Sequence, residues 1–316
     1  MRKILILTDG KAGHENQSKA FARALGCEFE LLEIHFKSKL AKALSYLLDR
    51  VGIRSAKLTD LADLANRDYA AVIGTGSGTF YAAKAVARQL GVKCGVVLYP
   101  RGYDMASFDC VLAPAFDRPK AAPNVIEIPA NLVANDEEFY ERGVAAFCEK
   151  AGLRDADLPA LNAVAVIVGG PNKCSTMTPE WMKARLDAIF APASDPAAPG
   201  VRRWVTTSRR TPPEVEAVVD GYPWDYKLLY SKDHFNPIPA FVKLAKKLYV
   251  TAESTGMLSE ASTFGSAEVA ALDNLKPGPH KFRRFVENLR RGGYVDGSRK
   301  VDLSEQFARA KALMGL

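Results

Sequence analysis

The stretch Leu248-Tyr249-Val250-Thr251-Ala252-Glu253-Ser254-Thr255-Gly256-Met257-Leu258-Ser259-Glu260-Ala261 decides the reading of this chain. Leu248 to Thr251 has the length and apolar character of a buried strand, and Met257 to Thr263 the spacing of a helix. A small polar turn joins them, so free backbone N–H groups and the positive helix end gather at the strand's C-terminal edge. That arrangement favours a phosphate or another anion. Glu260, read into the first helical turn, is a carboxylate able to accept hydrogen bonds from ribose hydroxyls. The same residues also fit a plain capped helix, with Ser254 at the N-cap and a glutamate as capping-box partner.

The pattern of strand, small loop and helix repeats on both sides of this stretch. Downstream, Ser266 to Leu272 reads as a strand. Upstream, strands are predicted at Ala163–Val168, Arg203–Thr207 and Tyr226–Leu229, with helices at Pro179–Phe190, Pro213–Val219 and Pro239–Lys246. The N-terminal half has strands at Ile4–Leu7, Phe29–Ile34, Ala70–Gly74, Cys94–Tyr99, Cys110–Ala113 and Asn124–Ile128. Helices from about Asn16 to Leu25 and over Phe80–Leu90 separate them. Strands alternating with helices, with glycine-rich loops after strands, indicate doubly wound parallel sheets. We therefore expect an α/β chain with two Rossmann-like domains, over 1–155 and 160–300, and a linker at the polar segment Arg154–Ala160. A Pro/Ala/Asp loop is read over Ala191–Gly200, and a C-terminal helix in 301–316 is expected to pack back across the linker.

With 316 residues the chain can bury two cores, and 48% hydrophobic with 25% charged residues is ordinary for a globular protein. The net charge of +7 suits anionic partners such as nucleotide phosphates. No nucleic-acid-binding motif accompanies it, so nucleic acid is not expected as a partner. The five cysteines (Cys27, Cys94, Cys110, Cys148, Cys174) are scattered and never in CxxC spacing, which argues for a reducing compartment and against a metal site. The apolar start ends at Thr8-Asp9, too short for a signal-peptide core, and no run approaches the roughly 20 apolar residues of a membrane span. A cytoplasmic protein is expected, peripheral on the inner face of the membrane.

The peripheral expectation comes from Lys37 to Lys57. Six basic residues (Lys37, Lys39, Lys42, Arg50, Arg54, Lys57) stand there against one acidic residue, Asp49, a balance of +5, interleaved with Leu40, Leu44, Leu47, Leu48 and Val51. A basic amphipathic helix of this kind can lie on an anionic bilayer. It can equally pack its apolar face on its own domain.

The first loop offers Asp9, Gly13, His14 and Glu15. A histidine or carboxylate there could act as a base, with His14 first choice and Asp9 or Glu15 in reserve. Gly76 and Ser77, in the loop after the third strand, could contact an acceptor or merely turn the chain. Gly169 and Gly170 permit close backbone approach to a ligand or make a tight turn, while Asn172 and Lys173 supply donors.

Beyond these single features, Ser254-x-x-Met257-x-Ser259-Glu260-Ala261 resembles the donor-nucleotide motif of GT-B glycosyltransferases. The closest likeness is to the mitochondrial-fission Elm-like family. Its pattern recurs in Thr8-Asp9-Gly10-Lys11-Ala12-Gly13-His14-Glu15-Asn16-Gln17-Ser18, in Val168-Gly169-Gly170-Pro171-Asn172-Lys173, in Thr206-Thr207-Ser208-Arg209-Arg210-Thr211-Pro212 and in Asn236-Pro237. The resemblance implies a GT-B fold whose two domains face each other across a cleft. It implies a nucleotide-sugar donor held mainly by the C-terminal half, with no cofactor and no metal. Glu260 would hold the ribose, Ser254 and its helix the diphosphate, and Ser208, Arg209 and Arg210 would face the cleft. A guanidinium there can neutralise a departing diphosphate. The chain departs from the family pattern at Glu253, where the family has Asp before the Ser, at Gly265 to Val269, and at Phe116-Asp117, where a histidine usually precedes the Asp.

The function expected is inverting, metal-independent transfer of a sugar to a cell-envelope acceptor, lipid-linked or of lipopolysaccharide type. Two alternatives stay open: sugar-nucleotide epimerase or hydrolase chemistry, and a non-catalytic adaptor on the same scaffold. A nicotinamide-dependent oxidoreductase is set aside, because no strand leads into a GxGxxG with an acidic residue about 20 positions on. The sequence leaves the oligomeric state open.

Overall fold

Two parallel sheets account for the alternating pattern. The computed structural model describes residues 2–61, 64, 68–191 and 200–316, so the loop read over 191–200 lies, at 192–199, outside the described residues. The chain divides into one unit of Met1–Ala134 with Asp302–Leu316 and a second of Asn135–Val301.

In the first unit the elements are β1 (Lys3–Thr8), α1 (Ala12–Ala24), β2 (Glu28–Glu33), α2 (Lys39–Arg50), β3 (Ala71–Thr75), α3 (Phe80–Leu90), β4 (Lys93–Val97), β5 (Cys110–Pro114) and β6 (Val125–Ile128). Ile4, Leu5, Ile6 and Leu7 are all buried, as expected of a parallel strand covered on both faces. The sheet order is β2-β1-β3-β4-β5-β6, every pair parallel. The winding direction reverses between β1 and β3, with Ile4 paired to Phe29 on one side and to Ala71 on the other. In open α/β sheets such a reversal leaves a crevice beyond the strand C-termini where ligands bind.

The second unit contains α4 (Glu137–Ala151), β7 (Ala163–Ile167), α5 (Pro179–Phe190), β8 (Arg202–Thr206), α6 (Pro213–Asp220), β9 (Tyr226–Leu228), α7 (Ile238–Leu244), β10 (Lys247–Thr251), α8 (Thr255–Thr263), β11 (Glu268–Leu272) and α9 (Lys281–Arg291). Its sheet order is β11-β10-β7-β8-β9, again all parallel. Here the reversal lies between β7 and β10. The last helix, α10 (Ser304–Met314), belongs to the first unit and packs on β4, β5 and β6. Arg309 Nη2 donates to Pro123 O there at 2.7 Å.

The boundary differs from the linker expected at Arg154–Ala160. Helix α4, not anticipated from the sequence and placed by the 1–155 boundary in the first domain, packs in the second unit against α7. Its Phe147 is fully buried, 4.9 Å from the Trp204 ring and 5.6 Å from that of Phe241. Burying an aromatic ring of this size outweighs the polar character of the segment before it.

Candidate functional site

The opening stretch forms the strand and helix expected, but its turn is filled from within. Glu253 is buried, and its carboxylate is a hub for the crevice between β7 and β10. Oε1 accepts from Gly170 N at 2.8 Å and from Thr251 Oγ1 at 3.0 Å, and Oε2 accepts from Asn274 Nδ2 at 2.7 Å. Thr251 Oγ1 in turn accepts from Gly169 N at 2.9 Å. Burial pushes the Glu253 carboxyl up from its ordinary value, and these donors pull partly the other way.

Gly169 and Gly170 are glycines because of the chain itself. A Cβ at Gly169 would overlap the Glu253 carboxylate, and one at Gly170 would overlap the Arg210 carbonyl. The close approach read from the sequence is therefore made by protein groups, and both N–H groups are taken. Thr211 Oγ1 completes this wall by donating to Gly169 O at 2.6 Å. Ser208 is half-buried; its N donates to Thr211 Oγ1 at 2.9 Å and its hydroxyl accepts from Arg210 N at 3.3 Å. Arg209 and Arg210 are exposed beyond β8, and among the described residues neither has an ion-pair partner.

Asn172 and Asn236 shape turns. Asn172 Oδ1 accepts from Cys174 N at 2.8 Å, and Asn236 Oδ1 accepts from Ile238 N at 3.2 Å. Lys173 is exposed. In α8, Ser254 is the N-cap but makes no side-chain cap hydrogen bond, so the capping box is absent. Met257 is half-buried, and Ser259 turns its hydroxyl back onto Thr255 O at 2.7 Å, an intrahelical role.

Glu260 stands in the second turn of α8, one turn later than the sequence reading placed it, because the helix begins at Thr255. Its Oε1 accepts from Tyr140 OH at 3.0 Å and from Asn135 Nδ2 at 3.2 Å. Burial raises its pKa despite these donors. Asn135 and Tyr140 were missed with helix α4; the visible signal was Asp136 before Glu137-Glu138, with Asp136 Oδ1 now accepting from Phe139 N at 3.0 Å.

In the first unit the crevice between β1 and β3 carries a different arrangement. Helix α1 starts at Ala12, so Gly13, His14 and Glu15 lie in its first turn rather than before it. His14 Nδ1 meets Asp9 Oδ1 at 2.9 Å, and Lys11 Nζ binds the other carboxylate oxygen. Burial would push the Asp9 carboxyl up, but the bonds and charges of Lys11 and His14 outweigh it and hold Asp9 below its ordinary value. Gly76, at a φ of +83°, lies against the imidazole so closely that a Cβ would overlap it. Asp9 and His14 thus form one oriented pair, not the alternatives read from the sequence. Glu15 is apart from them, paired with Lys19 at 2.6 Å. Ser77 accepts from Lys42 Nζ at 3.0 Å, and Gly13 is exposed with open space above its Cα.

A sequence model described as mitochondrial fission ELM1 matches residues 12–311. The chain belongs to this family. Comparison with curated proteins finds no match. Among solved structures, a Listeria monocytogenes protein assigned as a UDP-N-acetylglucosamine 2-epimerase is similar at 13% identity and a TM-score of 0.54, covering 99% of this chain and 88% of that one. The Phytolacca americana protein UGT2, complexed with UDP-2-fluoroglucose and pterostilbene, is similar at 12% identity and a TM-score of 0.50, covering 99% and 90%. At these identities the likeness establishes the fold, a GT-B arrangement of two Rossmann-like halves. Within this ELM1-family chain, Glu253, read from the sequence as a departure from the family pattern, is the residue whose carboxylate takes Gly170 N and Asn274 Nδ2. Among the described residues no three His, Cys, Asp or Glu side chains gather in a way that could hold a metal ion.

Proposed function

We propose that this chain transfers a sugar from a nucleotide-sugar donor to the hydroxyl of a cell-envelope acceptor, with inversion. The observation that carries the reading is the Asp9–His14 pair. Attack by an acceptor hydroxyl on a sugar needs a base positioned to take its proton. With Nδ1 bonded to an ionised carboxylate, the His14 ring is held in one orientation with Nε2 as the basic nitrogen, and Asp9 stabilises the imidazolium that forms.

In the second unit the donor's anionic end is assigned to the N-terminus of α8 and to Arg209 and Arg210. There the helix end and two guanidinium groups supply positive charge to a departing diphosphate, a role that requires no metal or other cofactor. Glu260, with Oε1 fixed by Asn135 and Tyr140, would present its other oxygen to the ribose hydroxyls. The experiment is transfer of labelled sugar from a panel of nucleotide sugars to membrane extract, with His14→Ala as control. We expect label in the extract with one donor and its loss in the variant. Equal labelling by both proteins counts against the assignment of His14.

A second reading, a non-catalytic adaptor, draws on Glu253. Its carboxylate takes the Gly170 N–H directly and holds the Thr251 hydroxyl that takes the Gly169 N–H, so neither donor is left for a ligand. Conversion of any donor would remove that reading. Donor conversion without acceptor, in turn, would favour epimerase or hydrolase chemistry.

A further inference from the structure

Helix α2 is built inside out. Its inward face buries Ser45 and Asp49 beside Tyr46 and Leu48, while its outward face is apolar. Asp49 is 1% exposed and sits in a buried ion cluster: Lys84 Nζ donates to both its oxygens at 2.9 and 3.0 Å, and Arg54 Nη1 lies 3.3 Å away. Ser45 bonds the Tyr103 hydroxyl at 3.0 Å, and Tyr46 stacks on the Tyr103 ring at 4.3 Å. These contacts fix the rotation of the helix about its axis. A one-sided helix that packed its apolar stripe inward would bury the leucines instead.

Outward, Leu40, Leu44, Leu47 and Val51 follow the spacing of a single helical face, with Ile53 just beyond. Leu40 is 82% exposed and Val51 63%. Among the described residues the only other exposed large hydrophobic is Leu31. An apolar patch of this continuity on a soluble surface marks an interaction site.

What surrounds the patch selects its occupant. Lys37, Lys39, Arg50 and Lys57 are exposed and have no ion-pair partner among the described residues, and the one acid between Lys37 and Lys57 is the buried Asp49. Protein interfaces are depleted in lysine and enriched in aromatic anchors, yet the aromatic residue of this helix, Tyr46, is turned inward. Aliphatic side chains rimmed by unpaired cations instead match the boundary between acyl chains and anionic headgroups. At 12 residues α2 is about 18 Å long, suited to lying in the plane of a surface and too short to span a bilayer.

We infer that the outward face of α2 docks this chain on an anionic lipid bilayer. Leu40, Leu44, Leu47 and Val51 enter the acyl boundary, and the four cations meet lipid phosphates. The Lys42–Ser77 contact ties α2 to the loop that packs Gly76 on His14, so docking sets the position of that loop relative to the lipid surface. The inference stands apart from sugar transfer and can fail or hold independently of it.

The test is co-sedimentation of the intact chain with vesicles of phosphatidylcholine alone or mixed with phosphatidylglycerol. We expect sedimentation with the mixed vesicles, little with the neutral ones, and release by high salt. Leu44→Glu with Leu47→Glu should weaken binding by about tenfold or more, with an unchanged melting curve because both side chains are exposed. Lys39→Glu with Arg50→Glu should remove the preference for anionic vesicles. A wild-type chain that stays in the supernatant at low salt overturns the inference, as does a double leucine variant that binds like wild type. So does a vesicle-independent dimer that the leucine variant disperses.

Discussion

The two sheets reverse their winding at equivalent places and treat the resulting crevices in opposite ways. Beyond β1 and β3, a carboxylate is held below its ordinary pKa by a lysine and by a histidine ring that stays partly exposed. Beyond β7 and β10, a carboxylate is buried without a cation and is spent on backbone and side-chain donors of its own unit. One topology thus yields a partly exposed Asp9–His14 pair in the first unit and an internal brace in the second. The difference follows from the neighbours: burial pushes both carboxyls up, but Lys11 and the hydrogen bond of His14 outweigh it at Asp9, whereas the neutral donors around Glu253 do not.

That contrast can be broken by substitution. The largest effect expected is on turnover: His14→Ala should lower sugar transfer by about a hundredfold to ten-thousandfold while leaving nucleotide affinity unchanged, measured by steady-state kinetics beside calorimetry. Its stability should stay within about 1 kcal/mol of wild type. Glu253→Ala should do the reverse in kind. It strands the donors of Gly170, Thr251 and Asn274 in the interior and should cost about 3 kcal/mol in urea unfolding. A brace that could be removed without loss of stability would undo the comparison.

Next in size, Arg209→Ala with Arg210→Ala should weaken nucleoside diphosphate binding by about tenfold, with no change in melting temperature because both side chains are exposed.

The smallest effect is in pH. The folded-state pKa of Glu253 lies above its ordinary 4.5, so the folded chain holds that proton more tightly than the unfolded chain. Its contribution is present below 4.5 and is lost as pH rises through the raised value. Glu253→Gln should therefore flatten the decline of stability with rising pH in that window. Asp9, depressed below 3.8, works in the opposite sense, losing its contribution as pH falls through its lowered value.

Much of this was legible in the sequence. Apolar runs such as Ile4–Leu7 and Ala163–Val168 declare parallel strands, because burial on both faces leaves no polar alternation. Asp9 and His14 were visible as candidates. Their union was not, because it depends on how the first turn of α1 hangs over Gly76. The N-terminal start of α1 and the true turn of Glu260 were misread by a few residues, since small residues such as Ala12 and Gly13 carry no periodic signal. Helix α4 was overlooked although Asp136 caps it and Gly152 ends it, for its apolar residues are spread among acids. The brace at Glu253 was beyond reach. Nothing local distinguishes a glutamate that faces a ligand from one that folds back on Gly170, and only the pairing of β10 beside β7 decides it.

The most direct test of the account is calorimetric titration of the intact chain with uridine, guanosine and cytidine diphosphates. Saturable binding of at least one is expected, weakened about tenfold by Arg209→Ala with Arg210→Ala and untouched by His14→Ala. The absence of binding by all three would contradict it.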